Sequence, residues 1–150
     1  MTDHRKIAVV TGGSRGIGRA ICARLGNLGC FVWVNYVSRS DAAEKTIDLV
    51  KQAGGQGQTV QFDVADFDQV QRAFKSIVAE SGSVDIVINN AGITRDGLVA
   101  RMKEADWDAV LDTNLKGAFA CAKAALKPMM KNRWGRIVTI SSIVGSYGNG

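Results

Sequence analysis

Three observations predict an α/β fold built on a doubly wound parallel sheet. Short apolar runs alternate with helical patterns five times along the chain. A glycine-rich turn, Gly12-Gly13-Ser14-Arg15-Gly16-Ile17-Gly18, joins the first run to the first helical pattern. The turns that follow the five runs, at Gly12–Gly18, Tyr36–Arg39, Asp63–Val64, Asn90–Gly92 and Ser141–Ser142, would converge at the carboxyl ends of the strands, where such sheets gather their ligands. Right-handed crossovers would place helices on both faces, giving three α/β/α layers.

The elements are expected in this order. Ile7 to Thr11 is long enough for a strand buried on both faces. The helix from about Gly16 to Leu28 carries Ile17, Ile21, Leu25 and Leu28 on one face, and Gly29 closes it. Phe31 to Tyr36, β-branched and aromatic, is the second strand. Ser40 or Asp41 can cap a helix that runs to about Ala53 and stops at Gly54-Gly55. The third strand spans about Gln58 to Phe62. Asp66 starts a third helix with Val70, Phe74, Ile77 and Val78 toward the core. Asp85 to Asn89 is the fourth strand. Helix is expected from about Lys103 to Lys131, interrupted near Thr113 to Gly117, with Pro128 able to kink or restart it. Arg136 to Ser141 is the fifth strand.

Length and composition narrow the function classes. At 150 residues and 46% hydrophobic content, the chain fits one domain, residues 1–150. The apolar runs are too short to span a bilayer, and no secretory signal is visible. Cys22, Cys30 and Cys121 are odd in number and lack C-x-x-C spacing, so they read as core residues of a reducing, cytoplasmic compartment. His4 is the only histidine, which argues against a histidine triad or a multi-histidine metal site; no metal is expected. The net charge is +5, and no Asp or Glu follows Asp112, whereas Lys116, Lys123, Lys127, Lys131, Arg133 and Arg136 do. That section is either a solvated face or a surface for an acidic partner. No nucleic-acid motif accompanies it.

The glycine turn has the physical equipment of a phosphate cradle: close backbone approach and the free N–H groups of a helix start. Its G-x-x-x-G-x-G spacing differs from the common dinucleotide fingerprint. Together with Asp63, Asn89-Asn90-Ala91-Gly92 and Ile140-Ser141-Ser142, in that order, it resembles the short-chain dehydrogenase/reductase family from Lys6 to the last residue. The stretches Ala91-Gly92-Ile93-Thr94-Arg95-Asp96 and Asp112-Thr113-Asn114-Leu115, with Met102 and Trp107, look most like bacterial 3-oxoacyl-acyl-carrier-protein reductases. Acetoacetyl-CoA reductases share much of that wording.

The resemblance implies a Rossmann-type fold and a nicotinamide dinucleotide. Gly12, Ser14, Arg15, Gly16, Ile17 and Gly18 would line the pyrophosphate and adenosine ribose. Asp63 and Val64 would border the adenine, and Asn90, Ala91 and Gly92 would floor the ribose. The second strand ends without a carboxylate until Asp41, while Arg15, Ser38 and Arg39 could meet a 2′-phosphate; NADP is expected. Arg39 could equally be a solvated loop residue. Ser142 matches the family's carbonyl-orienting serine and Asn114 the asparagine of its proton relay. The family's tyrosine and the lysine four places after it are not found: Tyr36 has Ser40, not lysine, four places on, and Tyr147 lies too near Ser142. The chain therefore reads as C-terminally incomplete, truncated after the fifth strand, and inactive alone. In the subfamily the thioester substrate rides on an acidic acyl carrier protein or on CoA, and Arg133, with Lys127 and Lys131, would meet the carrier. Family members are commonly homotetramers; no membrane or nucleic-acid partner is implied. An acetoacetyl-CoA reductase and a nucleotide-binding chain without catalysis are the alternatives.

Overall fold

The computed structural model describes residues 5–148; His4, Asn149 and Gly150 lie outside them. The strands are β1 (Ile7–Val10), β2 (Phe31–Tyr36), β3 (Gln56–Gln61), β4 (Ile86–Asn89) and β5 (Arg136–Thr139). The helices are α1 (Gly16–Asn27), α2 (Ser40–Gln52), α3 (Phe67–Ser81), α4 (Glu104–Leu111), α5 (Gly117–Lys131) and the short α6 (Val144–Tyr147). All strand pairs are parallel, in the order β3-β2-β1-β4-β5. The chain order reverses between β1 and β4, the switch point at which doubly wound sheets open a crevice.

Strand alternation builds two cores. Ile7 and Val9 of β1 face a cluster with Phe62, Phe74, Ile77, Ala120 and Cys121, under α3 and α5. Ala8 and Val10 face the opposite cluster with Cys22, Val32, Val34, Ile47 and Val50, under α1 and α2. Both faces are covered, which is why β1 is continuously apolar. All three cysteines are buried and free. Burial pushes the Cys22 and Cys121 thiols up to about 12. Asp85, also buried, accepts from Ile7 N at 2.8 Å and from Ser83 Oγ at 2.8 Å, pinning the start of β1 to the approach to β4.

Several expectations are corrected. The face that α1 buries consists of Gly18, Cys22 and Gly26, whereas Ile17 is 64% and Leu28 61% exposed. The reason is close packing: a Cβ on Gly26 would stand 2.9 Å from Val50 Cγ1. Small residues let α1 settle onto α2, and the larger Ile21 and Leu25 pack only at the rim of the core. Neither Ser40 nor Asp41 caps α2. Its N-cap position is Arg39, no side chain caps it, and Asp41 lies in the first turn. Asp66 does cap α3, accepting from Gln69 N at 3.0 Å. The expected interruption of the long helix is a π-helical turn, Asp112–Lys116. Pro128 lies inside α5, which continues through Lys131 and is not restarted there. A short helix, α6, follows β5. β5 is a sheet edge whose Ile137 and Val138 are partly exposed.

Among the described residues no helix is long and apolar enough to cross a membrane, and no group of His, Cys, Asp and Glu is arranged to hold a metal.

Candidate functional site

The ends of β1, β2, β3 and β4 are tied together by three polar side chains. Thr11 Oγ1 accepts from Asn90 N and Ala91 N, each at 3.0 Å, and donates to Ile88 O at 3.3 Å. Asn90 Nδ2 donates back to Thr11 O at 2.9 Å and Gly12 O at 3.1 Å. From the other side, Asn35 Oδ1 accepts from Gly12 N at 3.0 Å, and its Nδ2 donates to Phe62 O at 2.8 Å. Asn35 is 1% exposed. A buried amide must be satisfied, so it is held by the ends of β1 and β3 and holds them in turn.

The glycines of the turn divide the work. Gly12 has φ 60, and a Cβ there would meet Ala91 Cα at 3.0 Å. A Cβ on Gly18 would strike Gly12 O and come within 2.5 Å of Asn90 Nδ2. These two positions are closed by the protein itself. Gly16, φ 53, has open space around it. It is the position where a ligand could approach the backbone. Arg19 braces the turn from below, donating to Ser14 O at 2.5 Å, Ala42 O at 3.2 Å and Thr46 Oγ1 at 3.1 Å. No acidic residue or side-chain cap occupies the first turn of α1, so the N–H groups of Gly16, Ile17 and Gly18 are left for a ligand.

A cleft of about 770 Å³ opens at the switch point. It brings together Arg15, Val64, Asn90, Ala91, Gly92, Asn114 and Ser142 of the expected residues. Arg15 is exposed, and its guanidinium has no partner among the described residues. Asn89 also lines the cleft; its Oδ1 is shut from solvent and finds no donor among the described residues. Asn114, in the π turn, accepts from Ile93 N and donates to Ile93 O, both at 2.9 Å. Its amide locks the segment after β4 against the long helix, and one N–H and one lone pair remain. Ser142 Oγ accepts from Val144 N at 3.2 Å, which leaves its O–H free to donate into the cleft.

The remaining expected residues do not line this cleft. Asp63, half-buried beyond β3, spends Oδ1 on Ala65 N at 2.9 Å and keeps Oδ2. Ser38 and Arg39 are exposed after β2. Arg39 is not free: Nε and Nη2 grip the Asp41 carboxylate at 3.1 and 3.2 Å. That hydrogen bonding holds the Asp41 carboxyl below the usual range and raises Arg39. Arg133, Lys127 and Lys131 are exposed at the far end of α5. Arg133 stands at φ 52, a left-handed position usually given to glycine.

A dinucleotide fits these groups. The free N–H groups of α1 and the unpaired Arg15 suit phosphates, Asp63 Oδ2 suits an exocyclic amine, and Asn89 Oδ1 awaits a donor. Thr11, Asn35 and Arg19 were not anticipated from the sequence. Asn35 carried a signal nonetheless, being the one amide in an otherwise apolar, two-faced strand.

A family model for short chain dehydrogenases matches residues 6–150. The chain is 47% identical over 144 residues to the 3-oxoacyl-[acyl-carrier-protein] reductase FabG of Staphylococcus aureus strain Mu50, covering 96% of this chain and 58% of that protein. It is 44% identical, with the same coverage, to the 3-oxoacyl-[acyl-carrier-protein] reductase of Synechocystis. The chain thus spans under two thirds of the length of these relatives. A metagenomic short-chain oxidoreductase crystallised with NADP superposes with a TM-score of 0.88 at 33% identity, over 93% of this chain and 63% of that one.

Replacing Asn35 with leucine of similar volume should leave Gly12 N and Phe62 O unpaired and cost about 2–4 kcal/mol in urea unfolding. A loss below about 0.5 kcal/mol would mean that Asn35 does not hold the turn.

Proposed function

Since the chain belongs to the short-chain dehydrogenase family, we propose that it forms the cofactor-binding part of an NADPH-dependent reductase of 3-oxoacyl thioesters. The products would be 3-hydroxyacyl thioesters, in fatty acid synthesis. The observation that carries this reading is an unpaired Arg15 beside the open Gly16 and the uncapped start of α1. A cation and free N–H groups at one spot suit a phosphorylated cofactor. The named activities of the Staphylococcus and Synechocystis relatives support the substrate class.

In this reading the nicotinamide supplies a hydride to the substrate's ketone carbon. The chain's own residues bind and orient. Gly16, Ile17 and Gly18 present N–H groups to the pyrophosphate, within the turn formed by Gly12 and Ser14. Arg15 meets the 2′-phosphate, with Ser38 and Arg39 beside it. Arg39 must leave Asp41 to join, so it contributes less. Asp63 and Val64 border the adenine; Asn90, Ala91 and Gly92 lie under the ribose. Ser142 donates its O–H to the carbonyl oxygen, which steadies the charge that develops there. Asn114 holds Ile93 and keeps one N–H and one lone pair for a water. No tyrosine in these 150 residues has a lysine four places on. These residues bind and orient, and the proton donor is not among them.

The carrier surface is read from Arg133, Lys127 and Lys131, all exposed and without a carboxylate partner among the described residues. Arg133 adds a physical argument. A left-handed arginine costs about 1 kcal/mol relative to glycine, and such strain persists where a side chain is needed. The cytoplasm, where the three free cysteines stay reduced, is the proposed location. Exposed Trp107, Leu111, Leu115 and Phe119 on α4, the π turn and α5 favour association of copies, with a homotetramer as the family form.

NADPH added to this chain should bind more tightly than NADH, and without turnover of an acetoacetyl thioester. Arg15→Ala should weaken NADPH binding about tenfold or more and NADH little; Arg39→Ala should do the same to a smaller extent. Equal losses for the two cofactors would contradict the 2′-phosphate assignment, and turnover would contradict the missing proton donor. Arg133→Gly should stabilise the chain by about 1 kcal/mol in urea while weakening acyl-carrier-protein binding. Unchanged carrier affinity would remove Arg133 from that surface.

A further inference from the structure

At the end of α5 remote from the cleft, α3 and α5 part to leave a cavity of about 350 Å³. Its apolar lining comes from Phe74 and Val78 of α3 and Ala124 and Pro128 of α5. Its rim carries Lys75, Lys127 and Lys131, and no carboxylate lines it. None of these three lysines makes an ion pair among the described residues. Both helices end here, and their carbonyl ends contribute about half a negative charge each. Three ammonium groups outweigh that, so the rim is net positive.

Gln71 lines the same cavity. Its Nε2 is shut from solvent and has no acceptor among the described residues. Such a donor carries a desolvation cost that an acceptor would relieve. The volume falls in the lower range of small-ligand pockets. Lysine, a flexible point charge, suits an anionic head of unspecific shape.

We propose that this groove binds a small anionic amphiphile, a carboxylate on a short alkyl chain. The chain would lie on Phe74, Val78, Ala124 and Pro128, and the head would meet Lys75 and the Gln71 amide. The site is separate from the cleft. It shares Lys127 and Lys131 with the proposed carrier surface, so the test varies Lys75, which lies outside that set.

Sodium octanoate added to the 150-residue chain should shift the backbone amide resonances of Lys75, Val78 and Ala124 while leaving Ile93 and Ser142 in place. Octan-1-ol, lacking the charge, should bind at least about fivefold more weakly, and Lys75→Glu should weaken octanoate by a similar factor with an unchanged melting temperature. Shifts confined to the cleft, an equal response to octanol, or undiminished binding by the Lys75→Glu chain would each overturn the proposal. So would an acidic peptide that moves these amides where octanoate does not, because the groove would then be a protein-docking surface. None of these readouts involves NADPH, so they stand or fall apart from the cofactor reading.

Discussion

Two asparagine amides and a threonine hydroxyl hold the carboxyl ends of four strands in register. Asn90 and Thr11 join β4 to β1, and Asn35 joins the turn after β1 to the end of β3. A parallel sheet that reverses its order between β1 and β4 parts its loops there. The gap is useful only if its walls are fixed. Here the walls are fixed by hydrogen bonds within the protein, with Thr11 and Asn35 buried and Asn90 half-buried at the cleft. Gly18 follows from this arrangement, since its Cβ would occupy the space of Asn90 and Gly12 O. The close seat of α1 on α2, through Gly26 and Val50, keeps the helix start aimed at the same place.

The arrangement separates holding the site from meeting the ligand. Gly12, Gly18, Asn35, Asn90 and Arg19 are spent on protein atoms. Gly16, Arg15 and the first N–H groups of α1 are left over. Asn114 repeats the division across the cleft: its amide is committed to Ile93, while Ser142 nearby keeps its O–H. A binding site made this way loses little conformational entropy when the ligand arrives.

Much of this was legible in the sequence, and the rest was hidden for definite reasons. β2 runs from Phe31 to Tyr36 as expected, because β-branched and aromatic residues with both faces buried leave little choice. The interruption before Gly117 was also anticipated, although its π-helical form was not. The buried face of α1 was misread because periodicity follows large apolar residues, whereas this helix buries small ones. Arg39 was read either as a partner for a 2′-phosphate or as a solvated loop residue; the structure instead pairs it with Asp41, two residues on, where the start of α2 brings the two side chains together. Asn35 could have been found: a lone amide inside a buried apolar strand demands partners, and the strand ends nearby are where they must be.

Hydrogen bonds within the protein set the cleft before any cofactor arrives. Amide hydrogen exchange tests this most directly. Without nucleotide, the Gly12, Asn90 and Ala91 amides, which donate to Asn35 and Thr11, should be protected like the core amides of β1 and β4. Adding NADPH should then slow exchange chiefly at Gly16, Ile17 and Gly18. Gly12, Asn90 and Ala91 amides that exchange freely until NADPH is added would contradict the claim, because the ligand would then be building the site.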